Sequence, residues 1–141
     1  NLLESEGLYE GLEADIKRIS ERLLNDIDYT VHITGEENFK SLDPKTQIGV
    51  ALFFKECLAN VIRHSEATHV STYLEGNPRT IVLTVSDNGS GIQTKNNATA
   101  KTSPPSLLRR ARLLRGTVVT TDIPEGGTRV TLQTKTKPHW Y

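Results

Sequence analysis

The sequence predicts an α/β two-layer sandwich, a mixed and mostly antiparallel sheet with its helices packed on one face. Three observations carry that prediction. Patterns follow one another as helix, strand, helix, two strands, polar loop, helix, two strands. Apolar residues recur every three or four positions in the helical stretches and every second position in the strands. Short turns containing Gly, Asn or Pro separate the paired strands, which makes them hairpins, and helices combined with hairpins bury their apolar stripes against a shared sheet. At 141 residues the chain is the size of one domain and long enough to bury a core.

The elements follow in order. Leu8, Leu12, Ile16, Ile19 and Leu23 mark an amphipathic helix that fades at Asn25-Asp26. Tyr29, Val31 and Ile33 alternate with Thr30, His32 and Thr34 as a half-buried strand. Gly35 to Leu42 is polar and irregular. Asp43-Pro44 starts the central helix, with aspartate as N-cap and proline where its missing N–H costs nothing. Apolar content carries that helix to about His64. Val70 to Leu74 and the β-branched run Thr80 to Ser86 form a hairpin around Gly76-Asn77-Pro78. Gln93 to Ser103 is a polar loop, of the length that often serves as a functional lid. Ser103-Pro104-Pro105 opens a leucine-bearing helix ending near Gly116. Two last strands, Thr117 to Thr121 and Thr128 to Thr134, flank a turn at Pro124 to Gly127. Residues 1–134 thus form one domain with a lid at about 93–106, and residues 135–141 form a tail.

Composition excludes several classes of function. Seventeen basic and seventeen acidic residues cancel, which argues against a nucleic-acid or anionic-membrane surface. No apolar run approaches the roughly 18–20 residues of a membrane-spanning helix, and no signal peptide opens the chain. The single cysteine, Cys57, rules out an internal disulfide and a cysteine-based zinc site. Sequons at Asn88 and Asn97 are of a kind common by chance, so the chain reads as cytoplasmic.

Three short segments carry chemistry. Glu56, Asn60 and His64 are spaced by four, so they stack along one face of the central helix, with Phe54, Leu58, Val61 and Ile62 on roughly the opposite side. Carboxylate and amide oxygens suit magnesium, a carboxylate can take a proton, and Arg63 offers a donor fork for phosphate. Taken alone, the triplet is also what a solvated helix face looks like. Asp87-Asn88-Gly89-Ser90-Gly91-Ile92 ends the most regular strand. No returning strand follows it at once, which favours a ligand-facing loop over a hairpin turn. Gly126-Gly127-Thr128 leads into the final strand and by itself is only a turn.

In this order the three segments resemble the histidine-kinase-like ATPase superfamily, and within it the ATP-binding catalytic domain of bacterial sensor histidine kinases. Glu56 to Ser65 is similar to the N box of the subfamily that pairs with helix-turn-helix response regulators, E-A-L-x-N-A-x-x-H-S. Asp87-x-Gly89-x-Gly91 is similar to the first glycine box, and Gly127-Thr128 to the closing motif. Gly7-Leu8, Leu12 and the helix they begin resemble that subfamily's opening segment, so the likeness spans nearly the whole chain.

The resemblance implies a Bergerat-type fold and a bound ATP and Mg2+. Asn60 would ligate the metal, Glu56 would act as general base, and Arg63 and His64 would lie near the phosphates. Asp87 would accept from the adenine amino group over a floor shaped by Gly89 and Gly91. Ile92, Ser106 and Thr128 complete the implied binding set. The γ-phosphoryl group would pass to a histidine on a dimerisation hairpin upstream of Asn1, and from there to a response regulator. The fragment alone is expected to be monomeric, without contact to nucleic acid or membrane.

One segment departs from the family. Ser103-Pro104-Pro105-Ser106-Leu107-Leu108-Arg109 stands where the second glycine box reads G-L-x-G-M-x-x-R, and its prolines remove N–H donors from a phosphate cradle. Arg109, Arg110, Arg112 and Arg115 can compensate electrostatically, or simply form a solvated face. The alternatives are a degenerate nucleotide-binding or scaffolding module without catalysis, and an anti-sigma-factor serine kinase of the same superfamily.

Overall fold

The computed structural model describes residues 10–89, 100–101 and 103–136. Along the chain lie α1 (Leu12–Leu23), β1 (Asp28–Thr34), a 3-10 turn (Glu36–Asn38), α2 (Pro44–His64), β2 (His69–Gly76) and β3 (Thr80–Asp87). Then come β4 (Ala100–Lys101), α3 (Pro105–Leu113), β5 (Thr117–Asp122) and β6 (Thr128–Lys135). The strands form one sheet ordered β1-β2-β3-β6-β5-β4. Among the described strands only β1 and β2 run parallel, because α2 lies between them as a crossover; every other pair is antiparallel. The expected mixed, mostly antiparallel sheet is therefore present, with one more strand than the sequence patterns announced.

Alternation decides which face of the sheet the helices cover. In β3 every second residue is buried, and Ile81, Leu83 and Val85 point at the helices. Val70 and Leu74 of β2 and Leu132 of β6 share that face. Against it pack Phe53, Phe54 and Leu58 of α2, Leu12 and Ile16 of α1, and Leu107 of α3. Each of these is about fully buried, and burial of one such side chain is worth roughly 1.5–3 kcal/mol.

The helix signals work as the sequence suggests. The Asp43 carboxylate accepts from the Lys45 N–H at 3.1 Å, with Pro44 at the first helical position. For α1 the start is different. Gly11 precedes it with no capping side chain, and the Leu12 N–H donates instead to Gln47 Oε1 of α2 at 3.0 Å. Gln47 Nε2 donates onward to the Leu42 carbonyl at 3.2 Å, so one buried amide fixes α1 on α2.

Some expectations need correction. Ile62 does not bury with Leu58 and Val61: it is 46% exposed, on a stripe with Ile48 at 47% and Leu52 at 38%. Apolar residues occupy more of the α2 circumference than the sheet and flanking helices cover. The 3-10 turn gives the irregular segment before α2 one ordered piece. β4, at Ala100–Lys101, pairs with β5 inside the stretch expected to be loop, and α3 begins at Pro105, so Pro105 and Ser106 are helical. The first residues of the predicted N-terminal helix, the rest of the polar loop and the end of the tail lie outside the described residues. Among those described, no helix is long and apolar enough to cross a membrane.

Candidate functional site

A cavity of about 610 Å³ opens between the C-terminal half of α2, the start of α3 and the ends of β3, β5 and β6. That volume suits a small-molecule ligand. Its walls are largely apolar, with Val61, Val85, Leu107 and Val130 facing inward, and polar groups are few: Asn60, His64, Ser65, Asp87, Ser103, Thr120 and Thr128.

Asp87 arrives through the period of β3. It stands in phase with Ile81, Leu83 and Val85, so alternation carries a carboxylate to the buried face, where it is only 7% exposed. A buried carboxylate needs donors, and the Gly89 N–H supplies one to Oδ1 at 2.9 Å. Register explains the presence of Thr128, since it pairs directly with Asp87 across the β3–β6 ladder.

The two glycine motifs hold this corner shut. A Cβ on Gly89 would lie 2.0 Å from the Ser65 carbonyl oxygen, so the loop after β3 packs directly on the end of α2. Gly127 has φ +107, and a Cβ there would lie 1.8 Å from the Asp87 carbonyl oxygen. Only glycine meets both demands at position 127.

Asn88 is a staple that sequence reasoning passed over as a sequon. Its Oδ1 accepts from the Thr68 and His69 N–H groups, both at 2.9 Å, and its Nδ2 donates to Thr68 Oγ1 at 2.9 Å.

On α2, Asn60 and His64 line the cavity, while Glu56 and Arg63 stand outside its lining. Arg63 connects them: its Nη2 lies 2.9 Å from Asn60 Oδ1 and 3.9 Å from Glu56 Oε2. The Asn60 Nδ2 is buried without a hydrogen-bond partner among the described residues, an arrangement that costs stability unless another group accepts from it. Among the described residues, no three His, Cys, Asp or Glu side chains gather to hold a metal unaided. A divalent cation here would take oxygens from Asn60 and Glu56 and the rest from ligand and water, as magnesium does beside phosphates. Arg63 already stands in as a cation on those two groups, so the donor set fits.

Cys57 also lines the cavity but is buried, and burial, with the Glu56 charge adding, pushes its thiol well above the ordinary range. It is a wall residue and a poor nucleophile.

At the α3 end, Ser103 and Thr120 share a buried hydrogen bond of 2.7 Å, pinning the segment before the helix to β5. Pro104 and Pro105 line the cavity, and among the described residues no side chain caps α3. Ser106 lies in the first helical turn and is not among the lining residues. Of the other predicted residues, Gly91 and Ile92 lie outside the described residues.

The sequence matches no protein-family model and no curated protein. Solved structures are similar in fold. The ATP-binding domain of PrrB from Mycobacterium tuberculosis superposes with a TM-score of 0.67 at 18% identity, covering 91% of this chain and 96% of that one. The histidine kinase AdeS of Acinetobacter baumannii gives 0.65 at 15%, with 91% and 66% covered. For the blue-light activated histidine kinase EL346 of Erythrobacter litoralis the values are 0.64 and 17%, with 88% of this chain but 41% of that one covered. The chain has the fold of a histidine kinase ATP-binding domain.

Proposed function

We propose that this chain binds ATP with Mg2+ and is the catalytic domain of a sensor histidine kinase. One observation carries the reading. Three segments far apart in sequence bring Asn60 and His64, Asp87, and Thr128 to the rim and floor of one largely apolar cavity, in the fold that histidine kinase ATP-binding domains share.

In this reading the purine lies between Val61, Val85 and Val130, and Asp87 accepts from its exocyclic amino group. Thr128, beside Asp87 on β6, flanks the same edge, and Gly89 contributes to the floor. The phosphates extend toward Asn60, Arg63 and His64, with Ser106 near their path. Asn60 and Glu56 would hold the metal, which when bound would neutralise charge on the phosphate oxygens. Glu56 would take the ring proton of the incoming histidine, borne on a dimerisation hairpin, as its other nitrogen bonds to the γ-phosphorus and ADP departs, and a response regulator would receive the phosphoryl group afterwards. Phosphoryl transfer relies on positioning and charge more than on covalent help.

Pro104 and Pro105 qualify the activity. They offer no N–H where a helix start would otherwise donate to phosphate, and the Leu107 and Leu108 N–H groups both point to the Pro104 carbonyl, each at 3.0 Å. Binding is expected to survive this loss, and turnover to be slow.

Competition between ATP and GTP tests the base assignment. Guanine presents a carbonyl oxygen where adenine presents its amino group, leaving Asp87 facing an acceptor. ATP should bind tighter by about tenfold or more, since an unmatched buried polar group costs roughly 1–3 kcal/mol. Equal affinity for the two would overturn the reading.

A further inference from the structure

We propose that Arg63 is an internal cation occupying the position the metal takes, so that loading a divalent ion is an exchange of cations on Asn60 and Glu56. The proposal rests on the metal-site reading above and goes beyond it, to how the metal gains its two protein oxygens.

The geometry supplies the argument. The guanidinium reaches one full turn back to Asn60 and two turns back to Glu56, as helical side chains lean toward the N-terminus. A single nitrogen, Nη2, stands 2.9 Å from Asn60 Oδ1 and 3.9 Å from Glu56 Oε2. Helix-surface ion pairs normally join residues three or four apart. The contact from Arg63 to Glu56 spans seven and passes over Asn60, so the guanidinium covers the two candidate metal-binding groups together. A divalent ion bonded to both must enter the gap that Nη2 spans, with the Glu56 carboxylate drawn inward, and it would repel a guanidinium left in place.

Exposure makes the exchange easy. The Arg63 side chain is 56% exposed and that of Glu56 26%, so solvent screens the pair and its hold is weak. Once released, the same fork is free to turn toward phosphate oxygens, for which its geometry is suited. Arg63 is thus a positioning residue: it keeps the Asn60 oxygen engaged and delivers its charge to the ligand when the metal displaces it.

The test is Mn2+ binding to the full chain without nucleotide, read by electron paramagnetic resonance of the free ion. Arg63→Met and Arg63→Gln both remove the charge, Arg63→Lys keeps it, and Asn60→Ala removes the oxygen. The two neutral variants should bind Mn2+ about two- to fivefold more tightly, the range that exposed ion pairs carry, with Arg63→Lys close to the parent. In chelator, without metal, the neutral variants should bind ADP more weakly by a similar factor. A merely structural role for Arg63 would not move these two affinities in opposite directions. Unchanged or weaker Mn2+ binding in both neutral variants, with Asn60→Ala still abolishing it, would overturn the proposal alone. Parental Mn2+ binding in Asn60→Ala would overturn the metal-site reading, and this proposal with it.

Discussion

Replacing Gly127 by alanine should damage both stability and ligand binding, and the two effects can be separated. An ideal Cβ at this position sits 1.8 Å from the Asp87 carbonyl oxygen, 2.8 Å from its carbon and 2.9 Å from the Asn88 Cα. All three are backbone atoms, so no side chain can swing away. Either the end of β3 recedes from β6, or the first pair of the ladder, Asp87 with Thr128, opens. Two costs add. Holding alanine at φ +107 costs about 1–3 kcal/mol, and forcing an atom into packed surroundings costs a further 1–3 kcal/mol or so. A chain of this size loses roughly 3–5 °C of melting temperature per kcal/mol, so Gly127→Ala should melt about 10 °C or more below the parent. The control is next door. Gly126 has φ +121 but, among the described residues, nothing within 4 Å of its would-be Cβ, so Gly126→Ala bears only the conformational cost. Thermal unfolding of both variants, followed by ADP titration well below their transitions, separates the terms. Gly127→Ala should be the less stable and should also bind ADP more weakly, because Asp87 moves with its backbone. Equal melting temperatures, or a Gly127→Ala variant with parental ADP affinity, would refute the reasoning.

Further outcomes follow from particular contacts. Ser103→Ala leaves the buried Thr120 hydroxyl without its 2.7 Å partner and should cost about 1–3 kcal/mol in urea unfolding; the double change with Thr120→Val should cost clearly less than the two single changes summed. Asn88→Ala strips an acceptor from two N–H groups and a donor from Thr68 Oγ1, with an expected loss of about 1–2 kcal/mol by the same measurement. Cys57 should resist thiol reagents at neutral pH and react promptly once denaturant is added. Because burial raises its folded value, the unfolded chain releases the thiol proton first as pH rises. Its contribution to stability is therefore full below about pH 8.5, the ordinary thiol value, and is lost as pH climbs toward the elevated one. Unfolding curves against pH should be flatter above that point for Cys57→Ala than for the parent.

Much of the fold was legible because its signals are local. The N-cap at Asp43, Pro44 at the first helical position and the alternation of β3 each act within a few residues, and all three operate as the sequence suggested. Asp87 was singled out by the glycine-bearing segment it opens and by that segment's family likeness, whereas its burial in phase with Ile81, Leu83 and Val85 emerged only with the structure. What stayed hidden depends on distant partners. Gln47 reads as an ordinary polar helix residue until α1 is laid beside it. Asn88 reads as a sequon until its amide meets the backbone at Thr68 and His69. Ile62 was misplaced because a helix apolar over much of its circumference does not reveal which face the sheet will take. The two residues of β4 are too short to leave a pattern, and pairing with β5 alone defines them. The link from Arg63 to Asn60 and Glu56 needed side-chain positions, which spacing leaves open.

The central claim, that the cavity above Asp87 is an ATP site, is tested most directly by calorimetry of ATP binding with and without Mg2+ on this chain and on Asp87→Asn. The account predicts one site per chain, tighter binding with Mg2+, and a loss of about tenfold or more in the variant, because the asparagine amide places a donor against the adenine amino group or forfeits the charge. Binding that ignores the substitution, or no binding by the parent chain at all, would contradict it.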